Sequence, residues 1–246
     1  MKYWIAFLLF LTSFSSALAC GPWYPYGEDT RFSLLYSGWF DDGSLSEFYY
    51  SADYIAESYT LSAKNDKNTL DWWNLVDQSV DKEIVFQTIY GLSTKEVIEQ
   101  KNQPMIKTLR EKKGEAYIDY LLFAKSYSHL NNNQDYWERN ESQQDSMRQE
   151  ASLIALKKAA NTKDEWLKRR YAFLALRFYF YSKNETKVVA LYDEYFKGKS
   201  QWAVDRWAEY HYLHYESNPA KKSYRVAQLF TSVHSKRPGL WRIFHD

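Results

Sequence analysis

Residues 162–235 repeat themselves, and that repeat constrains the chain more than any other feature. Leu167, Tyr171, Leu174, Ala175 and Phe178 recur at three- and four-residue steps, the spacing of one helix face. Trp166, Phe173, Leu176 and Phe180 lie around the other side, so a helix over 163–181 must be covered on two faces. Thr162 and Glu165 have the three-residue spacing of a capping box for it. The polar break Ser182-Lys183-Asn184 leaves room only for a tight turn, so a second helix over 186–197 returns antiparallel. It presents Val188, Leu191, Tyr192 and Tyr195, and Gly198 is placed to stop it. A third helix over 200–216 carries Ala203, Trp207, Ala208, His211 and Tyr215, and Asn218-Pro219 ends it. A fourth presents Val226, Leu229, Phe230 and Val233, each 38 residues after its counterpart in the second. Two helices per unit at this period is the spacing of tetratricopeptide-like solenoids, in which each hairpin buries a face by stacking on its neighbour. The full tetratricopeptide signature is absent, so the units are degenerate.

The rest of the chain leads into this array with helical spacing of its own. From Thr69, a good N-cap residue, Trp73, Val76 and Val80 step along one face. Ile84, Val85, Thr88 and Ile89 mark a short helix that Gly91 stops. Ser93 and Glu96 form a second capping box, and that helix finishes before Pro104, which can start the next one over 105–113. Tyr117, Leu121 and Ala124 mark a further helix to about residue 130. Residues 131–146 are the most polar stretch and read as an exposed linker, after which Met147, Ala151, Ile154 and Ala155 restore helical spacing. The expected organisation is a signal peptide over 1–19, an aromatic-rich, less regular N-terminal segment over 20–66, a helical region over 67–130, the linker over 131–146, and hairpins with a tail over 147–246. The fold class is all-α, with antiparallel hairpins stacked as a tetratricopeptide-like α-solenoid.

The first residues point to export. Lys2 precedes an apolar run over 4–11 and a small polar stretch over 12–16, the layout of a secretory signal peptide, too short to span a membrane. Ala17-Leu18-Ala19-Cys20 fits two readings: ordinary cleavage before Cys20, or a loose bacterial lipobox in which Cys20 becomes a lipidated first residue. Cys20 is the single cysteine and can make no intramolecular disulfide, and its place at the cleavage point favours the lipid. The expectation is an exported protein of the cell envelope, an outer-membrane lipoprotein or a periplasmic protein, meeting the membrane through Cys20. Without Lys2 the remaining chain has 31 basic and 31 acidic residues, a balance that argues against nucleic acid as partner. Aromatics make up 19% of the chain and Gly and Pro are few, as in a helical protein with an aromatic core.

Four stretches together resemble one family. They are the start Cys20-Gly21-Pro22-Trp23-Tyr24-Pro25-Tyr26-Gly27-Glu28-Asp29-Thr30-Arg31-Phe32-Ser33-Leu34, the triplet Asp71-Trp72-Trp73, the run Tyr117-Ile118-Asp119-Tyr120-Leu121-Leu122-Phe123-Ala124-Lys125, and Lys168-Arg169-Arg170-Tyr171-Ala172-Phe173-Leu174-Ala175-Leu176-Arg177. In this order they resemble exported helical-repeat proteins of Bacteroidota, of which this chain would be a short or truncated member. The resemblance implies compartment and a tetratricopeptide-type solenoid, and it carries no catalytic residue.

Three constellations bear on chemistry. His211 and His214, three apart on a helix near Glu209 and Glu216, could turn two nitrogens toward a metal, but no second cluster completes a ligand set. The alternative is imidazoles packed among Tyr210, Tyr212 and Tyr215. Paired carboxylates for glycoside hydrolysis are not singled out by any spacing. Trp23, Tyr24, Tyr26, Trp39 and Trp72 could stack on sugars or apolar side chains, or fill gaps between helices. No catalytic, cofactor or metal motif stands out, so the expected function is a scaffold that binds a protein or peptide, with a glycan-binding surface lipoprotein as the alternative. At the tail, Pro238-Gly239 is expected to break the last helix and fold the chain back, with Trp241 and Phe244 covering the final hairpin.

Overall fold

A computed structural model describes residues 61–131 and 141–245. The signal peptide, Cys20, Trp23, Tyr24, Tyr26, Trp39, the start of the family resemblance and most of the aromatic N-terminal segment lie outside the described residues. Among the described residues the protein is all helical, with no strand. The eleven α-helices of the described residues are α1 (Lys67–Leu75), α2 (Lys82–Phe86, running into a π turn over Gln87–Gly91), α3 (Thr94–Glu99), α4 (Pro104–Lys112), α5 (Glu115–Ser126), α6 (Glu141–Asn161), α7 (Glu165–Tyr181), α8 (Glu185–Tyr195), α9 (Ala203–Leu213), α10 (Pro219–Ser232) and α11 (Arg237–His245). None of them is long and apolar enough to cross a membrane.

Among the described residues α7 is the central helix. Twelve of its seventeen residues are buried, and it touches α5, α6, α8 and α9. The two apolar faces expected from its sequence are both covered. Helix α9 also meets α8 and α10, and α10 meets α11. The main core gathers Trp72, Tyr120, Trp166 and Tyr171, with Trp72 edge-on to Trp166 at 4.7 Å and Tyr120 edge-on to Tyr171 at 5.1 Å. A second cluster joins Leu213, Val226, Leu229, Val233, Leu240 and Ile243. Trp207 and Tyr212 pack against both clusters and join them.

Several helix starts differ from the sequence reading, each because a nearer acceptor wins. Asp164, rather than Thr162, caps α7: its carboxylate accepts from Leu167 N at 2.7 Å and from the Tyr117 hydroxyl at 2.8 Å, a charged cap tied to α5. Thr162 instead accepts from Asp164 N. Thr69 lies inside α1, whose cap is Asp66, accepting from Thr69 N at 2.8 Å. Asn218 is the cap of α10, with Pro219 in its first turn, rather than the stop of α9, which already ends at Leu213 with His214 as its C-cap. The capping box of Ser93 and Glu96, the start at Pro104 and the stop at Gly198, whose φ is +73°, are as expected. Lys125 of α5 ties down the π turn and its end, donating to the Ile89 and Leu92 carbonyls at 2.7 and 2.6 Å.

The polar linker is shorter than its composition indicated. Helix α6 already begins at Glu141, so 141–146 belong to it, while 132–140 lie outside the described residues. Arg148 holds this end in place: it donates to the Leu130 carbonyl at 3.0 Å and pairs with Asp145 at 2.9 Å, one helical turn back.

At the tail, Pro238 and Gly239 do not break the chain but form the first turn of α11. A Cβ on Gly239 would lie 2.1 Å from the Tyr210 hydroxyl, so the absent side chain is what lets the tail close on α9. The tail does fold back, but through Leu240 and Ile243, which are buried in the second cluster; Phe244 is 56% exposed. Leu240→Ala should therefore cost about 2–4 kcal/mol, as for other core leucines, whereas Phe244→Ala should change stability by no more than about 0.5 kcal/mol. Urea unfolding of the two variants checks this, and the reverse ranking would place the wrong face against the hairpin.

Candidate functional site

The region richest in polar interactions is the seam where α1, α7 and the start of α9 meet. It is built on two consecutive arginines of an otherwise apolar helix. Arg169 and Arg170 are 4% and 2% exposed, a burial that a cation tolerates only with partners. Arg169 places Nη1 3.0 and 2.8 Å from the two carboxylate oxygens of Asp205 and Nη2 3.3 Å from Gln201 Oε1. Its guanidinium lies 3.7 Å over the Trp202 ring. Asp205 in turn accepts from Trp202 N at 2.9 Å, which fixes the first turn of α9.

Arg170 reaches the opposite way. It donates to Asn68 Oδ1 at 2.7 Å and pairs with Asp71 at 3.3 Å, with its guanidinium 3.9 Å over Trp166. Asn68 donates to the Tyr90 hydroxyl, which donates to Asp66, so the α1 cap belongs to the same network. Asp66 and burial together push the Tyr90 phenol up, burial being the larger cause. Asp71 also accepts from Ala203 N at 2.8 Å, a link from α1 to the start of α9. Burial raises the Asp71 carboxyl to about 6, against the lowering influence of Arg170 and of the Ala203 N–H.

Two open pockets flank the Asp71–Ala203 link. One, of about 400 Å³, is lined by Asp66 and Lys67, by Arg206 and Trp207 of α9, and by 231–233 at the end of α10. The other, of about 350 Å³, is lined by Asp71, Asn74, Leu75, Trp166, Gln201 and Trp202. The carboxylates of Asp66 and Asp205 are engaged with structural donors. The chemistry left for a ligand is hydrogen bonding, ion pairing with Lys67 or Arg206, and contact with the Trp202 and Trp207 rings.

The structure places the sequence-derived candidates elsewhere. Trp72 is 1% exposed and sits in the core against Trp166, so it is no stacking platform for a ligand. Cys20, Trp23, Tyr24, Tyr26 and Trp39 lie outside the described residues. His211 is buried among Phe173, Phe180 and Tyr210, and burial drives its imidazole well below the usual range. His214 packs against Phe180 and Tyr210. Among the described residues no three His, Cys, Asp or Glu side chains are grouped to hold a metal. Asp205, Trp202 and Arg206 were not singled out in the sequence, and Asp71 only as part of the triplet that resembles a family. The available signal was Arg169-Arg170 itself, two cations inside a helix that must be covered on both faces.

The chain matches no protein-family model, no curated protein and no solved structure among those compared.

Breaking the Arg169–Asp205 pair tests the seam. Asp205→Ala should destabilise by about 3–5 kcal/mol, because it leaves the Arg169 charge buried, and adding Arg169→Met should recover most of that loss. Denaturant unfolding of the single and double variants gives the comparison. Equal destabilisation by the single and the double would mean the pair does not carry the effect.

Proposed function

We propose that this protein is an exported scaffold, held at the cell envelope through a lipid on Cys20, that binds a peptide segment along the α1–α9 seam of a tetratricopeptide-like helical array. The solenoid reading draws support from the order of packing: α7 with α8, α7 with α9, α8 with α9, and α9 with α10. That is the neighbour pattern of two stacked hairpins. Val188 and Leu191 are buried, as are Val226 and Leu229 at the equivalent positions. The caps Asn184 and Asn218 lie 34 residues apart, against 38 for those buried pairs, so α10 carries one extra turn at its start.

The observation that carries the binding reading is the pair of pockets on one seam. An extended peptide crossing the Asp71–Ala203 link would enter both, meeting a tryptophan in each, with Lys67 and Arg206 at one end and Asn74 and Gln201 at the other. The glycan alternative relied on exposed aromatics in a row, and burial removes Trp72 from that row.

Lys67 and Asn74 are exposed, so Lys67→Glu and Asn74→Trp alter one pocket each without touching the core. Linear peptides selected by display on the purified protein should bind about tenfold more weakly to each variant, with unchanged melting temperature. A selection that yields no binders, or binders indifferent to both substitutions, would sink the proposal.

A further inference from the structure

The pocket on the Asn74 and Gln201 side of the seam carries charge of one sign. Asp71 is the one charged residue among those that line it; the others are Asn74, Leu75, Trp166, Gln201 and Trp202. Arg169 and Arg170 are not part of the lining. Their guanidiniums sit over the Trp202 and Trp166 rings at 3.7 and 3.9 Å, and their Nη atoms are taken up by Asp205, Gln201, Asn68 and Asp71.

The Asp71 carboxylate is only partly used. Oδ2 accepts from Ala203 N at 2.8 Å and from Arg170 Nη2 at 3.3 Å, and Oδ1 takes part in neither bond. A carboxylate offers about four lone-pair positions, so acceptor capacity is left on a side chain that is 12% exposed and lines the cavity. Beside it, the amide oxygens of Asn74 and Gln201 each accept one bond, from Gln78 and Arg169, and each keeps a second lone pair. Arg169 and Arg170 of α7 face Asp71 of α1, Asp66 at its cap and Asp205 of α9, three carboxylates against two guanidiniums. Burial, followed by Asp205 and Asp66, outweighs Arg170 and the Ala203 N–H and raises the Asp71 carboxyl to about 6.

We infer that this pocket takes a basic side chain, lysine or arginine, with Asp71 Oδ1 meeting the cation and the amide oxygens of Asn74 and Gln201 accepting its remaining N–H donors. An ammonium or guanidinium brings donors and no acceptor, which suits a wall of acceptors. Leu75, Trp166 and Trp202 give apolar surface for the stem behind the charged head. An acidic ligand would meet Asp71 as a like charge, and an aliphatic one would strip water from Oδ1 without replacing it. That the side chain arrives on a peptide rests on the reading of the seam given above; the preference of the pocket for a cation does not.

The pocket is tested first with single residues. Nα-acetyl-lysine methylamide and Nα-acetyl-arginine methylamide are titrated into the purified protein, with the norleucine and glutamate analogues as controls, and the side-chain amide resonances of Asn74 and Gln201 are followed. At about pH 7.5 the basic probes should shift them saturably and the controls should not. At about pH 5 Asp71 holds a proton, so the basic probes should bind about tenfold more weakly. Asn74→Lys should weaken their binding about tenfold and Asn74→Asp should strengthen it severalfold, both at an exposed position. Asp71→Asn should abolish the preference for a cation; should that variant fail to fold, the pH series and the two Asn74 variants decide the matter. No saturable shift, norleucine or glutamate binding as tightly as lysine, or an affinity indifferent to pH and to both Asn74 variants would each overturn the inference. Displayed peptides that bind without a preferred basic residue would overturn it and leave the peptide reading standing. Saturable binding of the basic probes with no displayed binder would support the cation pocket and remove the peptide reading.

Discussion

The structure depends on two charges that cannot be left alone. A helix buried on most of its surface gains stability from each apolar side chain it hides, roughly 1.5–3 kcal/mol for a large one, and loses heavily for each unpaired cation. Helix α7 carries Arg169 and Arg170 in its first half, both almost fully buried. Neighbouring residues on a helix point about 100° apart, so the two side chains cannot share a partner. Arg169 is satisfied from α9 through Asp205 and Arg170 from α1 through Asn68 and Asp71. One dipeptide thereby sets the position of two other helices.

The seam follows from that arrangement. Asp71 is drawn inward by Arg170 and then accepts the first N–H of α9, from Ala203, which joins segments 132 positions apart in the chain. The surface on each side of this link is concave; on the side of Asn74 and Gln201 the indoles of Trp166 and Trp202 stack on the guanidiniums rather than filling the space beyond them. A network in which both guanidiniums are held through their Nη atoms, to Asp205, Gln201, Asn68 and Asp71, makes a rigid floor, and a rigid floor lowers the ordering cost of holding a partner. Arg177, on the same helix, differs: its guanidinium stands 5.7 Å over the Phe173 ring, and among the described residues no carboxylate pairs with it.

The helices of the repeat were legible in the sequence because their apolar spacing is regular over several turns. Helix α7 shows this best, with its two faces covered as the pattern demanded. Caps were less legible. Asp164 and Asp66 displaced Thr162 and Thr69 because a carboxylate one helical turn from the free N–H is the stronger acceptor and also reaches a tyrosine hydroxyl elsewhere in the fold. Residues 141–146 look like a linker by composition; Arg148 makes their helix tenable by contacts to Leu130 and Asp145 that local polarity does not disclose. The tail's direction was legible and its buried face was not, since Leu240 and Ile243 share the same three-residue spacing as Trp241 and Phe244. The seam was not legible: Arg169 and Arg170 lie in plain view inside an apolar helix, but their partners lie 36 positions away at Asp205 and 99 at Asp71.

The most direct test of α7 as the organising element is native-state hydrogen exchange on the wild type and on Arg170→Met. In the wild type the amides of α7 should exchange slowest, at the rate of global unfolding. In Arg170→Met, protection should fall first in α1 and in the opening turn of α9, while α10 and α11 keep their wild-type rates. If α7 exchanges as fast as α10, or the substitution lowers protection evenly throughout, the arginine pair does not hold the array together.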